Sequence, residues 1–287
     1  MFGFLNINKP SGMSSHKVIS VLRKITGIKQ IGHAGTLDPL ASGVLPVAIG
    51  KASKLIDYMT EDKAYSVGIY LGKVSDTFDM EGEVVAYSSN KVTREEVELA
   101  LEKFRGEIEQ VPPAFSAIHY NGKRLYELAR EGIIPDDIPK RKITIYKNEI
   151  IEFDYENQIL KLDIECSKGT YIRSIVNDLG QNLGVGGVMF ELVRTKSSGF
   201  EICNSLDLDD SLTKDILEKN IINPIAVLNL ECIEISNSEI EKIKNGNKFK
   251  NTTDKTGNVL LVLNEKILAL AVADEEDVQP KKVFLWN

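Results

Sequence analysis

The 287-residue sequence is poor in the residues that build disulfides and metal sites. It has few cysteines and histidines: Cys166, Cys203, Cys232, His16, His33 and His119. The cysteines are odd in number and form no CxxC pair, which argues against a disulfide framework and a zinc site and favours a reducing compartment. No two histidines have the spacing of metal ligands, so a metal-dependent mechanism is disfavoured.

The sequence also lacks the segments that direct a chain into or across a membrane. No apolar run approaches the roughly 20 residues that span a bilayer. The N-terminus MFGFLNINKPSG has no basic region followed by a long apolar stretch, so we expect no secretory signal and a cytoplasmic location. Hydrophobic residues make up 43% and charged residues 27% of the chain, which is ordinary for a folded protein of about two domains.

Positive charge is scarce overall, but it is unevenly distributed. The net charge is −7, yet residues 1–60 carry seven lysines and arginines against Asp38 and Asp57. Residues 111–147, which include Lys123 and Arg124, hold seven basic against four acidic residues. A local basic surface can attract a polyanion even on an acidic protein. Chance clustering of charges on solvated faces is the alternative, and charge by itself does not separate the two.

Periodicity predicts an α+β fold with a mixed, mainly antiparallel sheet. FLNINK reads as a strand, and residues 15–26 as an amphipathic helix that ends at Gly27. Residues 30–43 read as a glycine-rich loop and residues 52–59 as a second helix. Alternation from Tyr65 predicts a strand, and a capping box at Thr93 opens a helix whose apolar face runs to Ile108. Later strands are joined by short turns, which favours a mixed sheet with flanking helices over a parallel doubly wound sheet.

The C-terminal part differs in pattern from the rest of the chain. Residues 204–228 are polar and acidic, and we expect them to lead away from the main sheet. From about residue 230 the sequence offers short strands, a helix at 238–244 and an Asn245-Gly246 turn. We therefore expect a first domain at 1–228 and a small β-rich domain at 229–287.

The stretch GHAGTLDPLASGVLPVAIG, residues 32–50, is the strongest candidate for chemistry. Asp38 stands in a loop of small residues and precedes Pro39, which favours an extended backbone and a fixed direction for the carboxylate. The simpler interpretation is an aspartate that opens a turn. A phosphate-binding P-loop is excluded, because Gly50-Lys51 is followed by Ala52 and the required upstream glycine is Leu45. A pair of carboxylates for glycoside hydrolysis stays open, although nothing singles out one of the downstream acids Asp57, Asp62, Asp76 and Asp79.

Six segments together resemble one known family. In chain order they are NKPSGMSSHKV, GHAGTLDPLASGVLP, KAYSVGIYLG, FRGEIEQVPPAFSAIHYNGKRLYELAREG, CSKGTYIRSIVNDLG and ELVRTKSSGF. They are similar to the successive motifs of the TruB family of pseudouridine synthases and cover about residues 2–200. The segment from about residue 230 is similar to the family's small RNA-binding PUA domain. The resemblance implies the pseudouridine synthase fold and isomerisation of the uridine at position 55 in the tRNA T loop, without metal or cofactor.

The resemblance also implies roles for individual residues. Asp38 matches the family's catalytic aspartate, and Arg173 matches an active-site arginine that we expect to form an ion pair with it. Tyr65 matches a tyrosine that stacks on the target uracil, and its hydroxyl is a candidate for proton transfer. Leu192 would close the other face of the base, and Arg194 of the same motif is expected to bind substrate.

Further matches concern substrate binding. His33 matches a residue that fills the space left by the extruded nucleotide. Lys9 matches the first motif, where it either supports the loop of Asp38 or contacts a phosphate. Lys123 and Arg124 are expected to contact RNA. We expect the tRNA T stem-loop as partner, no obligate protein partner and a monomer. Two alternatives are a non-catalytic RNA-binding or RNA-folding protein and a guide-dependent rRNA pseudouridine synthase.

Overall fold

The computed structural model of the chain describes residues 1–135 and 137–284. Asp136 of the basic segment 111–147 and the last three residues of the predicted second domain, 285–287, lie outside the described residues. The strands are β1 (Gly3–Lys9), β2 (Ile31–His33), β3 (Ser42–Ile49), β4 (Lys63–Leu71), β5 (Lys73–Ser75), β6 (Val84–Ala86), β7 (Gly106–Gln110), β8 (His119–Tyr120), β9 (Lys123–Arg124), β10 (Arg141–Asp154), β11 (Ile159–Cys166), β12 (Gly187–Ser197), β13 (Phe200–Glu201), β14 (Leu206–Asp207), β15 (Glu231–Glu234), β16 (Phe249–Lys250), β17 (Gly257–Leu263), β18 (Lys266–Ala273) and β19 (Asp277–Val283).

Among the described residues, helices are fewer than strands. The α-helices are α1 (Ser15–Thr26), α2 (Arg94–Leu101), α3 (Leu125–Arg130), α4 (Ile172–Asn182), α5 (Lys214–Lys219) and α6 (Ile240–Lys244). Short 3₁₀ helices lie at Gly50–Tyr58, Glu102–Phe104, Ile202–Asn204, Pro224–Ala226 and Asn237–Glu239.

A ten-stranded mixed sheet forms the main body. Eight strands run in the order β14-β1-β3-β12-β4-β11-β10-β7, while β13 pairs with β12 and β2 pairs with β3. The β1–β14 and β3–β12 pairs are parallel and the remaining pairs antiparallel. This arrangement confirms the predicted mixed, mainly antiparallel α+β fold.

Local sequence signals explain why the first helix begins and ends where it does. The side chain of Ser14 accepts a hydrogen bond from the backbone N–H of Lys17, which satisfies a free donor of the first turn. Gly27 ends the helix with a φ of 72°, a left-handed conformation that glycine adopts without steric cost. The apolar stripe of α1, with Val18 and Leu22 fully buried, packs in one cluster with residues of β1 and β3.

Three predicted boundaries are wrong in detail. The expected loop at 30–43 begins with strand β2, which pairs with β3. The helix at residues 52–59 is a 3₁₀ helix, Gly50–Tyr58. Ile108 does not belong to the helix that begins after Thr93, because Gly106, with a φ of 77°, redirects the chain into strand β7.

The segment 204–228 does not lead away from the main sheet. Strand β14 within it pairs with β1 at the sheet edge. Ile222 exchanges backbone hydrogen bonds of 2.8 and 2.9 Å with Phe4. The polar composition of the segment reflects its exposed face, while Leu212 and Leu217 are buried against the first helix and its neighbours.

A five-stranded sheet follows, in the order β15-β17-β18-β19-β16. One apolar cluster joins it to the main body: Leu260, Leu270 and Phe284 pack with Val44 and Leu55. Lys282 strengthens this contact, because its Nζ donates a 2.8 Å hydrogen bond to the carbonyl of Lys54. The β-rich C-terminal part is present as predicted, and it shares part of its core with the larger sheet.

Candidate active site

The loop that carries Asp38 joins β2 to β3 and is named here the Asp38 loop (residues 34–41). A turn fixes its centre, because the backbone N–H of Ala41 donates to the carbonyl of Asp38 at 3.1 Å. Ser15 at the start of α1 holds the other arm, since its hydroxyl accepts from Leu37 N–H at 2.9 Å and donates to Leu37 O at 3.0 Å. The side chain of Asp38 is 39% exposed. The loop is therefore anchored through its backbone while its carboxylate stays accessible.

Lys9 supports the same loop from below. Its side chain is fully buried, and its Nζ donates to the carbonyls of Met13 (2.5 Å), Pro10 (2.9 Å) and Pro39 (3.3 Å). Burial lowers the pKa of Lys9 to about 8, and the nearby Asp38 carboxylate opposes that shift. The assignment of Lys9 as a phosphate contact is corrected, because a fully buried ammonium that is bound to three carbonyls has no surface for substrate.

Arg173 and Asp38 form the ion pair that the sequence predicts. The Nε of Arg173, in the first turn of α4, lies 3.1 Å from Oδ2 of Asp38. Arg173 is only 6% exposed, and its Nη atoms donate to the carbonyls of Thr77 (3.2 Å) and Phe115 (2.9 Å). These backbone contacts fix the guanidinium plane, so one edge always faces the Asp38 carboxylate.

Asp79 is the functional candidate that sequence reasoning missed. Nothing in the sequence separates it from Asp57, Asp62 and Asp76, yet those three acids are exposed and Asp79 is fully buried. Its Oδ2 lies 3.5 Å from Nη1 of Arg173, and its Oδ1 accepts from the Thr77 hydroxyl at 2.6 Å. The sole hint in the sequence is the Thr77-x-Asp79 spacing, which permits this local hydrogen bond but is common in exposed turns.

The Arg173 guanidinium therefore lies between two carboxylates of different character. Asp38 is accessible to a ligand, whereas Asp79 is enclosed and forms its ion pair with the arginine. A buried charge is costly unless it is paired, so Asp79 compensates the burial of Arg173. Arg173 can consequently keep its orientation when substrate covers Asp38.

Tyr65 and Arg194 are register partners on the neighbouring strands β4 and β12. Arg194 is fully buried, and it donates to the carbonyls of Val44 (2.7 Å), Gly35 (3.2 Å) and Thr36 (3.3 Å). It thus ties the start of the Asp38 loop to the sheet. The expectation that Arg194 binds substrate directly is corrected to this supporting contact, because its guanidinium is enclosed by protein.

Tyr65 lies on the apolar face of β4. Burial raises the pKa of its phenol, and the positive charge of the neighbouring Arg194 opposes the shift. The hydroxyl therefore keeps its proton at neutral pH. Leu192, on the adjacent strand opposite Val67, and Leu37 of the Asp38 loop belong to the same apolar cluster as Tyr65. The structure thus brings Asp38, Arg173, Tyr65 and Leu192 to one end of the β4–β12 pair.

His33 ends β2 immediately before the Asp38 loop and is partly buried. Burial and the neighbouring Arg194 and His16 lower its pKa, so the imidazole is neutral at pH 7. A neutral ring at the edge of the loop is compatible with stacking on bases.

Lys123 and Arg124 lie farther away, on the exposed hairpin of β8 and β9. Lys123 forms an ion pair of 3.1 Å with Glu131, and the backbone N–H of Arg124, at the start of α3, donates to the Glu127 carboxylate at 3.0 Å. This hairpin is connected to the site through Phe115, whose carbonyl accepts from Arg173. The structure therefore does not bring the side chains of Lys123 and Arg124 into contact with Asp38 or Arg173.

The residues that the structure describes hold no group of three His, Cys, Asp or Glu side chains that could bind a metal ion. Over the same described ranges, no helix is long and apolar enough to cross a membrane.

Comparison with known proteins identifies the family. Residues 23–172 match the TruB family pseudouridylate synthase (N terminal domain). The chain belongs to this family. Asp38 and Tyr65 lie within the matched range, and Arg173 follows its last residue. Members of the family are pseudouridine synthases, so the expectation of an isomerase is confirmed.

Curated relatives align over most or all of the chain. The tRNA pseudouridine synthase B of Lactobacillus johnsonii is 41% identical and is covered over 99% of both chains. The tRNA pseudouridine synthase B of Gloeothece citriformis is 49% identical over 75% of this chain and 70% of its own.

Solved structures support the fold on both sides of residue 228. A chain in the crystal structure of a Cbf5-Nop10-Gar1 complex matches with a TM-score of 0.73 and 26% identity, over 99% of this chain and 85% of that chain. This match confirms the pseudouridine synthase fold with a C-terminal half-barrel.

Proposed function

We propose that this protein converts uridine to pseudouridine at position 55 in the T loop of tRNA, in the cytoplasm. The ion pair between accessible Asp38 and buried Arg173 carries the proposal, because it presents one oriented carboxylate beside an apolar ring and a leucine. The relatives that align over nearly the whole chain support tRNA as substrate.

The reaction needs a carboxylate and no redox group. The glycosidic bond from C1′ to N1 breaks, the uracil turns, and C5 bonds to C1′; the C5 proton leaves and N1 takes up a proton, so the product is an isomer of the substrate. In our proposal Asp38 acts as the nucleophile or promotes a glycal-type intermediate, and Arg173 fixes the direction of the carboxylate through its contact with Oδ2. The supports beneath the loop, Lys9 and Arg194, preserve this geometry through backbone contacts.

Tyr65 and Leu192 are proposed to sandwich the uracil. The ring of Tyr65 is suited to stacking. Because burial raises the pKa of the phenol, its hydroxyl is suited to donating a proton rather than to acting as a base. The uridine lies within a folded loop of RNA, so it must be extruded at a cost of a few kcal/mol. His33, at the rim, is proposed to occupy the vacated space.

Recognition of the rest of the RNA is assigned to the basic surfaces. Lys123 and Arg124 are exposed and are proposed to contact phosphates, and residues 229–287 are proposed to form a second, RNA-positioning domain. We propose a monomer without an obligate protein partner. A guide-dependent role is less well supported, since the neighbour in the Cbf5-Nop10-Gar1 complex is 26% identical whereas curated tRNA enzymes reach 39–49%.

The test is incubation of the purified chain with an unmodified tRNA transcript, followed by carbodiimide labelling and primer extension. We expect a single stop in the T loop, absent from a transcript with cytidine at the target position. A folded protein that leaves the T loop unmodified, or that modifies other RNA only when a guide is added, would contradict the proposal.

A further inference from the structure

We propose that Lys63, beside the Asp38 loop, binds a backbone phosphate of the RNA next to the extruded uridine. This inference rests on the proposed function, and it adds a substrate contact at the same site. Four observations carry it: the place of Lys63 on β4, the lack of a partner, a second cation beside it, and a recess that opens above it.

Lys63 lies two residues before Tyr65 on β4. Both pair in regular register with β11, Lys63 with Cys166 and Tyr65 with Ile164, so the two side chains share one face of the strand. Residues i and i+2 of a strand are about 7 Å apart. A base that stacks on Tyr65 therefore brings its own sugar and phosphate close to the Lys63 ammonium.

Gly35 allows two cations to converge at the start of the Asp38 loop. A Cβ at position 35 would lie 3.4 Å from Nζ of Lys63 and 3.5 Å from Nη1 of Arg194. Arg194 has backbone carbonyls as acceptors, whereas the ammonium of Lys63 has no hydrogen bond or ion pair within residues 1–135 and 137–284. A partly buried ammonium beside a guanidinium and without a counterion is favourable only if an anion arrives. Burial and Arg194 accordingly lower the pKa of Lys63.

The ammonium faces a recess of about 190 Å³. Gly35, Lys63, Lys168 and Ser198 contribute to its wall, and Asp57 and Glu61 are its acidic members. Glu61 is paired with Lys168 and offsets the charge of Lys63 only in part, Asp57 is exposed to solvent, and neither carboxylate forms an ion pair with Lys63. The recess has room for a phosphate group and is open to solvent.

The position of the recess favours a phosphodiester of the substrate over a free anion. Its wall includes Gly35, three residues before Asp38, and the ribose of the target nucleotide must lie at Asp38 for the glycosidic bond to break. The phosphate attached to that ribose is then within reach of Lys63. A charge-assisted contact of this kind positions the RNA without entering the chemistry.

The test compares four proteins with synthetic T-arm stem-loops. The proteins are wild type, Lys63→Met, Lys63→Arg and the control Lys161→Met, whose lysine lies on the opposite sheet face and pairs with Glu152. The RNAs carry a single neutral methylphosphonate at the phosphate 5′ or 3′ of the target uridine. Dissociation constants are measured across a range of salt, and single-turnover pseudouridine formation is measured at saturating RNA.

We expect Lys63→Met to bind unmodified RNA about tenfold more weakly, with a salt slope shallower by about one. Lys63→Arg should retain most of the affinity, and Lys161→Met all of it. One of the two methylphosphonates should weaken wild type by the same factor and leave Lys63→Met unaffected, because the same contact is already lost. Thermal unfolding of each variant shows whether the fold is intact.

The inference would be overturned if each methylphosphonate weakened binding to Lys63→Met by the same factor as binding to wild type. It would also be overturned if Lys63→Met bound unmodified RNA as tightly as wild type. Inorganic phosphate is the remaining probe. If it competes with RNA only when Lys63 is present while both methylphosphonate losses add, the recess takes a free anion and the RNA assignment is wrong. Wild type that forms no pseudouridine would instead overturn the proposed function, whereas an active wild type with additive losses overturns only the role of Lys63.

Discussion

The two sheets of this protein differ in what they bury. In the main sheet and its loops, four charged side chains are almost completely enclosed: Lys9, Asp79, Arg173 and Arg194. In the C-terminal sheet, no Lys, Arg, Asp or Glu of the described residues 231–284 is buried, and Asn251 is the polar side chain enclosed there. The second sheet is built as an apolar core with a solvated surface.

The contrast separates a sheet whose interior serves stability alone from a sheet whose buried charges hold the candidate active site in place. A buried charge destabilises a fold unless it is paired or well hydrogen-bonded, so an apolar core is the more economical solution where only stability is required. The main sheet retains buried charges where they converge on the Asp38 loop. The following tests are ordered by their expected effect on catalysis, and each addresses one side of this contrast.

Asp38→Asn is expected to have the largest effect. The amide keeps the shape of the side chain but loses the nucleophile, so pseudouridine formation should fall by more than about 1,000-fold. Affinity for tRNA, measured by filter binding, should stay within about threefold of wild type. Turnover within tenfold of wild type would remove Asp38 from the chemistry.

Asp79→Asn tests the enclosed carboxylate. Loss of its charge leaves Arg173 less well compensated, and we expect the free energy of unfolding to fall by about 3 kcal/mol. Misorientation of Arg173 should reduce the single-turnover rate by about 10- to 100-fold at temperatures where the variant is folded. The matched control is Asp76→Asn, an exposed acid of the same turn, for which both quantities should be unchanged. Equal behaviour of the two variants would contradict the role of Asp79.

Lys9 predicts opposite pH dependences for activity and stability. Its pKa in the folded protein, about 8, lies below the ordinary value of 10.5. Between these values the unfolded chain binds more protons, so the folded state gains stability as pH rises, by up to about 3 kcal/mol. The rate should fall a few-fold over the same range, because the ammonium that holds the Asp38 loop loses its charge.

Lys9→Met is the reference for both measurements. Urea unfolding from pH 7 to 10 should show a difference in unfolding free energy between wild type and variant that changes with pH. Single-turnover rates over the same range should show an inflection near pH 8 in wild type only. A wild-type rate that is level through pH 8 would argue against control of the loop by Lys9 charge.

Phe284→Ala should have the smallest effect on catalysis. Phe284 is buried in the cluster that joins the two sheets, and its truncation should cost about 3–5 kcal/mol of unfolding free energy. The single-turnover rate at saturating tRNA should stay within about twofold, because the charged site lies in the main sheet. Phe249→Ala, in the separate cluster of the C-terminal sheet, is the control for loss of a buried ring away from the joint. A collapsed rate in folded Phe284→Ala would show that the joint helps to build the site.

The local sequence determined much of the architecture. The capping box at Thr93, the end of α1 at Gly27 and the alternation from Tyr65 were predicted, because each depends on neighbours within a few residues. The Asp38 loop was also recognised, together with the Asp38–Arg173 ion pair that the family resemblance implies. The domain boundary after residue 228 stays a prediction.

Tertiary contacts decided the rest. Asp79 resembles three exposed acids in sequence, and its burial follows from packing against Arg173, which lies 94 positions later in the chain. Lys9 and Arg194 are candidates for substrate contacts in the sequence, but the folded loops place carbonyls around them and exclude solvent. The segment 204–228 looks polar because one face is exposed, and only its pairing with β1 shows that it completes the sheet. Sequence therefore specified which side chains are available, whereas the enclosure of each charge depended on residues that are distant in sequence and adjacent in space.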